Sequence, residues 1–153
     1  MEQMKTHIKS NINDPVFTIG VASKMLSVSP ETLRMYEREG LLISYRTRTG
    51  RRMYSHEDLD WILCIRNQIK HKKLNLAGIK RLLSLLPCWE ISPCDSNKHF
   101  ECNAFLINDK VCWQLDNTPC RSKKLDCYKC PVYRMAPKID NLKMELDISL
   151  RKS

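Results

Sequence analysis

The sequence predicts a mainly α-helical protein with one small β-hairpin, followed by a small irregular cysteine-rich module and a short C-terminal helix. Three observations predict it. Apolar residues recur at helical spacing in several stretches between residues 19 and 86, each preceded by a side chain able to cap a helix. The period shortens between residues 42 and 54, around Thr49-Gly50, as in two strands joined by a turn. Seven of the eight cysteines fall from Cys88 to Cys130, where periodicity is poor and Pro and Asn recur. These breaks divide the chain into a flexible tail (1–14), a helical unit with its hairpin (15–86), a cysteine-rich module (87–134) and a C-terminal helix (135–153).

Each element has a local cause. Thr18 can cap a first helix, Ile19 to Leu26, with Ile19, Ala22, Met25 and Leu26 on its apolar side. Ser27-Val28-Ser29 turns the chain into a second helix that starts with Ser29 as cap, Pro30 at the first helical position and Glu31 in the first turn. That helix closes at Gly40 after about two to three turns. Leu33, Tyr36 and Gly40 share one side; Thr32, Met35, Glu39 and the arginines Arg34 and Arg38 fill the rest. Alone, such a segment reads as an ordinary amphipathic surface helix. Behind another helix and a short turn, it reads as the second helix of a helix-turn-helix, whose arginines can meet guanine edges or phosphates in a DNA major groove. Residues 42–46 and 51–54 read as two strands, and Arg46, Arg48, Arg51 and Arg52 sit in this hairpin. Such a hairpin can reach a phosphate backbone or minor groove; equally, charged hairpin edges deter aggregation. Ser55 and Asp58 fit a capping box for a helix to about Lys70, with Leu59, Ile62, Leu63, Ile65 and Ile69 inward. Cys64, among them, reads as a small buried apolar residue. The basic loop His71-Lys72-Lys73 follows, then a helix over 76–86, capped by Asn75 and ended by Pro87.

The chain of 153 residues carries 26 Lys+Arg against 17 Asp+Glu, a formal net charge of +9. Up to Leu86 there are 15 basic and 8 acidic residues, and from Pro87 onward 11 and 9. The front half is therefore the part suited to a polyanion. No run of 18 apolar residues exists, so no transmembrane helix is expected, and the N-terminus lacks the apolar core of a secretory signal. The expectation is a cytoplasmic protein, in which cysteines serve as metal ligands or redox-active thiols more often than as permanent disulfides.

The front half resembles the MerR family of bacterial transcription regulators. The resemblance runs from about Phe17 to Leu86: FTIGVASKMLSVSPETLRMYEREGLL, then a wing ending GRRMYSHEDLD, then a helix pair ending LNLAGIKRLL. The IGVASKML opening and the NLAGI element look most like the heat-shock-repressor branch. The resemblance implies a winged helix-turn-helix that binds double-stranded promoter DNA as a homodimer on near-palindromic sites, with RNA polymerase as a partner at the promoter. It places Thr32, Arg34 and Tyr36 on the recognition helix, Arg52 and Tyr54 in the wing, and Lys72 and Lys73 in a loop near the DNA backbone; Arg38 and Arg51 complete the expected DNA-binding set. Two departures stand out. Met35 stands where the family commonly has the first of two tyrosines, and Arg51 replaces the tyrosine of a Gly-Tyr-Arg wing. The long dimer helix usual after such a domain does not follow directly. The only later helical candidate is 137–151, with Ile139, Leu142, Leu146 and Leu150 on one stripe, fit for a dimer contact or for packing on its own domain.

The intervening segment holds Cys88, Cys94, Cys102, Cys112, Cys120, Cys127 and Cys130. It has too few large apolar groups to fold alone, so a staple is expected. Cys127 and Cys130 form a CxxC, a spacing that lets two thiolates reach one metal. A subset of four of the seven suits either an iron–sulfur cluster or zinc; His99 is a possible further ligand or an exposed residue. The segment also resembles a small cysteine-rich module attached to bacterial sensory and regulatory proteins, through Cys88-Trp89-Glu90, Cys112-Trp113, Thr118-Pro-Cys120 and Cys127-Tyr-Lys-Cys130-Pro-Val-Tyr133. The combined expectation is a DNA-binding transcription regulator, not an enzyme, whose cysteines sense redox state, metal or a reactive small molecule. The alternatives are a regulator with a purely structural zinc or partner-binding module and, remotely, a thiol oxidoreductase using Cys127 and Cys130. No βαβ pattern surrounds that motif, which weighs against the last.

Overall fold

The computed structural model describes residues 11–92 and 99–152. The expected tail lies mostly outside them, and so does Cys94. The first helix, α1 (Ile19–Leu26), is capped by the Thr18 hydroxyl and ends at Ser27 in a left-handed conformation, φ 52°. This turn delivers the chain to α2 (Pro30–Arg38), where the Ser29 side chain accepts from the Thr32 N–H. Gly40 at φ 75° then reverses the backbone, which glycine adopts without strain. Helix α3 (His56–Lys70) starts in the full Ser55–Asp58 capping box, and α4 (Leu76–Ser84) starts on Asn75.

The sheet is larger than the sequence suggests. The hairpin strands β2 (Tyr45–Arg46) and β3 (Arg52–Tyr54) are joined by a third strand, β1 (Phe17–Thr18). The order is β1-β3-β2, antiparallel throughout, with Phe17 opposite Tyr54 and Arg46 opposite Arg52. Two residues leave no period for sequence reading to detect, so β1 is fixed by its partner and not by its own pattern.

The helical stripes are narrower than expected. Leu59, Ile62 and Ile65 of α3 are buried, but Leu63 is 47% exposed. Trp61, missed by the apolar spacing, is fully enclosed, and its indole N–H donates to the Leu41 carbonyl at 2.7 Å. Met25 of α1 is also exposed, while Ala22 and Leu26 face inward. Cys64 is half-buried against the core.

Beyond Pro87 the chain forms short turns. These include α5 (Cys88–Ile91), α6 (Asn103–Leu106), α7 (Pro119–Ser122) and α8 (Pro131–Arg134), separated by 3-10 turns at Cys112–Gln114 and Cys127–Lys129. The terminal helix begins later than expected. Ala136–Asn141 is 3-10, and α9 spans Leu142–Arg151. The cysteine-rich segment does not stand apart. Val111, Trp113, Tyr128, Val132 and Tyr133 belong to the same continuous core as Leu33, Tyr36, Leu41 and Ile62. Burial of side chains of this size contributes about 1.5–3 kcal/mol each, so the segment is stabilised by the domain it covers.

Candidate nucleic-acid interface and cysteine cavity

Two sites emerge, and one set of contacts joins them. The first is the outer face of α2 with the hairpin. Arg34 and Arg38 are partly exposed and both lie near Glu31, at 3.7 and 2.9 Å. Arg48 and Arg51 are exposed in the hairpin turn, and Lys72 and Lys73 are exposed in the loop between α3 and α4. Glu37 ties helix to hairpin, accepting from Arg52 at 2.6 Å, Arg46 at 2.8 Å and the Ser44 hydroxyl at 3.1 Å. Burial would raise its carboxyl, but the Arg52 and Arg46 hydrogen bonds outweigh that and hold it below the ordinary range. Glu37 carries no signal of this role in the sequence, because its partners come together only when the hairpin folds against α2. Arg52 is accordingly placed as a strut that orients the wing.

Two expected contact residues sit elsewhere. Tyr36 is only 4% exposed and packs in the core, on the same face of α2 as Leu33. Its ring supports α2 from behind. Tyr54 is fully buried, its hydroxyl pushed up to about 12 chiefly by burial, and that oxygen has no hydrogen-bond partner among the described residues. Alternation along β3 turns Tyr54 inward. Thr32 is half-buried, its hydroxyl sharing a hydrogen bond with Ser29 at 2.9 Å.

The second site is a cavity of about 40 Å³ lined by Cys88, Cys102, Cys112, Cys120, Cys127 and Cys130. The structure thus gathers six of the seven expected cysteines, spread over residues 88–130, around one space. Its wall is completed by Trp89, Phe105, Val132 and His99. His99 stacks flat on Trp89 with ring centres 4.9 Å apart. Burial pushes the Cys112 thiol strongly up, and the sulfurs of Cys88, Cys130, Cys127 and Cys120 are close enough to add to the effect. Cys127 is raised by burial as well. Among the described residues no group of three or more His, Cys, Asp or Glu side chains has the geometry of a metal-ion site. The sulfurs surround a cavity and do not meet at a point.

The contacts joining the two sites start beside these cysteines. The Trp113 indole N–H donates to the Gly40 carbonyl at 2.6 Å, and Gln114 Nε2 donates to the Glu39 carbonyl at 3.2 Å. Both acceptors cap the end of α2. A Cβ at Gly40 would collide with the Gln114 side chain, so this position needs glycine for space as well as for its backbone angle. The Tyr128 hydroxyl donates to the buried carboxylate of Asp58 at 2.7 Å. Arg134 reaches Glu57 and Asp58 at 3.1 and 3.3 Å, stacked over the Tyr128 ring. The Ile43 N–H donates to the Tyr133 hydroxyl at 2.9 Å. Of these residues, Trp113, Tyr128 and Tyr133 sat within motifs visible in the sequence, but their partners lie 70 to 90 positions away.

The geometry is that of a winged helix-turn-helix: a buffered second helix presenting arginines, with a basic hairpin beside it. Residues 17–86 match the sequence pattern of the MerR HTH family regulatory proteins, and they form a MerR-family helix-turn-helix domain. The chain is 38% identical over 71 residues to a Streptomyces coelicolor protein with the provisional name heat shock protein HspR, covering 46% of this chain and 47% of that one. It is 36% identical over 69 residues to the HTH-type transcriptional regulator GlnR of Bacillus cereus, 45% of this chain and 53% of that one. It is 32% identical over 84 residues to the HTH-type transcriptional regulator ZntR of Escherichia coli, 54% and 59% respectively. The chain thus spans about half the length of the curated relatives it matches. No helix of the described residues is long and apolar enough to cross a membrane.

Proposed function

We propose that the protein is a transcription regulator that binds double-stranded promoter DNA as a homodimer, and that its cysteine segment makes this binding responsive to redox state, metal or a reactive small molecule. The observation that carries the DNA reading is the α2–hairpin face. Arg34 and Arg38 project from the helix, Arg51 and Arg48 from the hairpin, and Glu37 locks the two in one orientation. In this reading α2 lies in the major groove, where arginines pair with guanine edges, and Arg51, Lys72 and Lys73 neutralise phosphates. RNA polymerase is the partner at the promoter. Dimerisation is supported by α9, which packs Leu142 and Leu146 on the core while Met144 and Ile148, one turn apart, stay 59% and 41% exposed. The responsive role of the cysteines is supported by their gathering around one cavity that adjoins the contacts to Gly40.

The test is selection of binding sites from random duplexes by the purified full chain. The expected result is an enriched inverted repeat whose half-site centres are spaced by a whole number of helical turns. The double variant Arg34→Ala/Arg51→Ala should lose the enrichment while keeping its fold. Recovery of the input pool unchanged at low salt would refute the reading.

A further inference from the structure

We propose that the cysteine cavity is a metal site in which Cys88, Cys112, Cys127 and Cys130 hold a soft, thiolate-bound metal centre, and that filling it sets the grip of Trp113 on the end of α2. The consequence for DNA rests on the regulator reading above; the metal site does not.

The choice of ligands follows from placement. Of the six cysteines lining the cavity, Cys88, Cys112, Cys127 and Cys130 are packed against the continuous core of the protein; Cys102 and Cys120 are not. The fold thus ties these four to the core. Four thiolates are the number both zinc and iron–sulfur centres take. Thiolate ligands select soft metals over magnesium or calcium. The remaining wall is what such a centre needs around it. Trp89, Phe105 and Val132 exclude water, and an apolar shell of this kind tunes a thiolate-bound metal. Among the described residues no three of these side chains converge on one point, so a tetrahedral centre, with Zn–S near 2.3 Å, draws the sulfurs in to about 3.8 Å from one another.

The link to DNA is a matter of chain adjacency. Cys112 immediately precedes Trp113, whose indole N–H caps the Gly40 carbonyl. Cys127 immediately precedes Tyr128, which donates to Asp58 at the start of α3. Cys130 opens α8, which carries Tyr133 to the Ile43 backbone and Arg134 to Glu57. Three ligands therefore sit at the roots of three contacts that position α2, the hairpin entry and α3. Drawing the sulfurs onto a metal moves those roots together.

The experiment is iron, zinc and acid-labile sulfide analysis of full-length protein purified without oxygen from iron- and zinc-replete cells. It is repeated on single cysteine-to-serine variants. The expected result is one centre per chain. Cys88→Ser, Cys112→Ser, Cys127→Ser and Cys130→Ser should each lose it, and Cys64→Ser, Cys102→Ser and Cys120→Ser should keep it. Iron with matching sulfide, or zinc, lost in each of the four variants would support the site. Metal-free wild-type protein, or wild-type metal content in the four variants, would overturn it. Because a ligand variant can fail by unfolding, wild-type protein stripped by chelator serves as the second arm. Loaded and stripped forms should differ at least about 5-fold in affinity for the selected duplex. Trp113→Phe should keep its metal and lose that difference. Equal affinity of loaded and stripped wild type would overturn the coupling. Absence of duplex binding altogether would count against the regulator reading alone, with the metal analysis unaffected.

Discussion

At the residue scale, the protein is held by a few positions that each serve more than one element. Gly40 is the sharpest case. Its φ of 75° and the Gln114 side chain above it both exclude a Cβ. Gly40→Ala should therefore cost about 1–3 kcal/mol, measured by urea unfolding, even though it removes no contact. Tyr128→Phe deletes the donor to Asp58, a carboxylate only 1% exposed, and should cost about 1–3 kcal/mol in the same assay. Glu37 gives a pH signature. Its carboxyl is held below its ordinary value of 4.5, so the stability it contributes is fully present above that pH. That stability is lost as pH falls through the lower folded value. The gap in stability between wild type and Glu37→Gln should thus shrink on acidification below about pH 4.5, and a constant gap down to pH 3 would refute the assignment. The helix-ending turn at Gly40 was legible in the sequence; the Gln114 side chain above it and the Tyr128–Asp58 bond were not, because each partner lies far along the chain and no local pattern encodes it.

At the element scale, legibility followed the range of the cause. The starts of α1, α2, α3 and α4 were readable because Thr18, Ser29, Ser55 and Asn75 cap within three residues of themselves. The hairpin was readable because its arginines and its Thr49-Gly50 turn are contiguous, although its strands are shorter than the pattern implied. Strand β1 was not readable, since Phe17–Thr18 is extended only because β3 lies beside it. Inward positions on α3 were partly misread because Trp61 replaces Leu63 on the buried side. The inward turn of Tyr36 and Tyr54 has the same origin. The family resemblance nominated both for DNA, while the helix face and strand alternation put both in the core. Removing a single basic contact from the interface tests this division. Arg51→Ala and Lys72→Ala should each weaken duplex binding across sequences and lower the salt slope by about 0.9. Tyr36→Phe should leave the slope unchanged.

At the scale of the whole molecule, the cysteine-rich segment is a buttress built onto the helix-turn-helix domain. Trp113 and Tyr133, in edge-to-face contact at 5.1 Å, are buried in the core they share with α2 and α3. The sequence indicated that this stretch could not fold alone, but not that its support would be the neighbouring domain. That support rests on side-chain to backbone bonds such as Tyr133 to Ile43. The terminal helix leaves Met144 and Ile148 outward, and Met144→Lys/Ile148→Lys should shift a sedimenting dimer toward monomer without lowering Tm. The central claim is that the α2–hairpin face binds DNA. It is tested most directly by the affinity of the full chain for its selected duplex, followed by fluorescence anisotropy across a salt series for wild type and Arg34→Ala/Arg51→Ala. The account predicts steep salt dependence for wild type and a shallower, weaker and less sequence-selective binding for the variant. Identical affinity, selectivity and slope in the two proteins would contradict it.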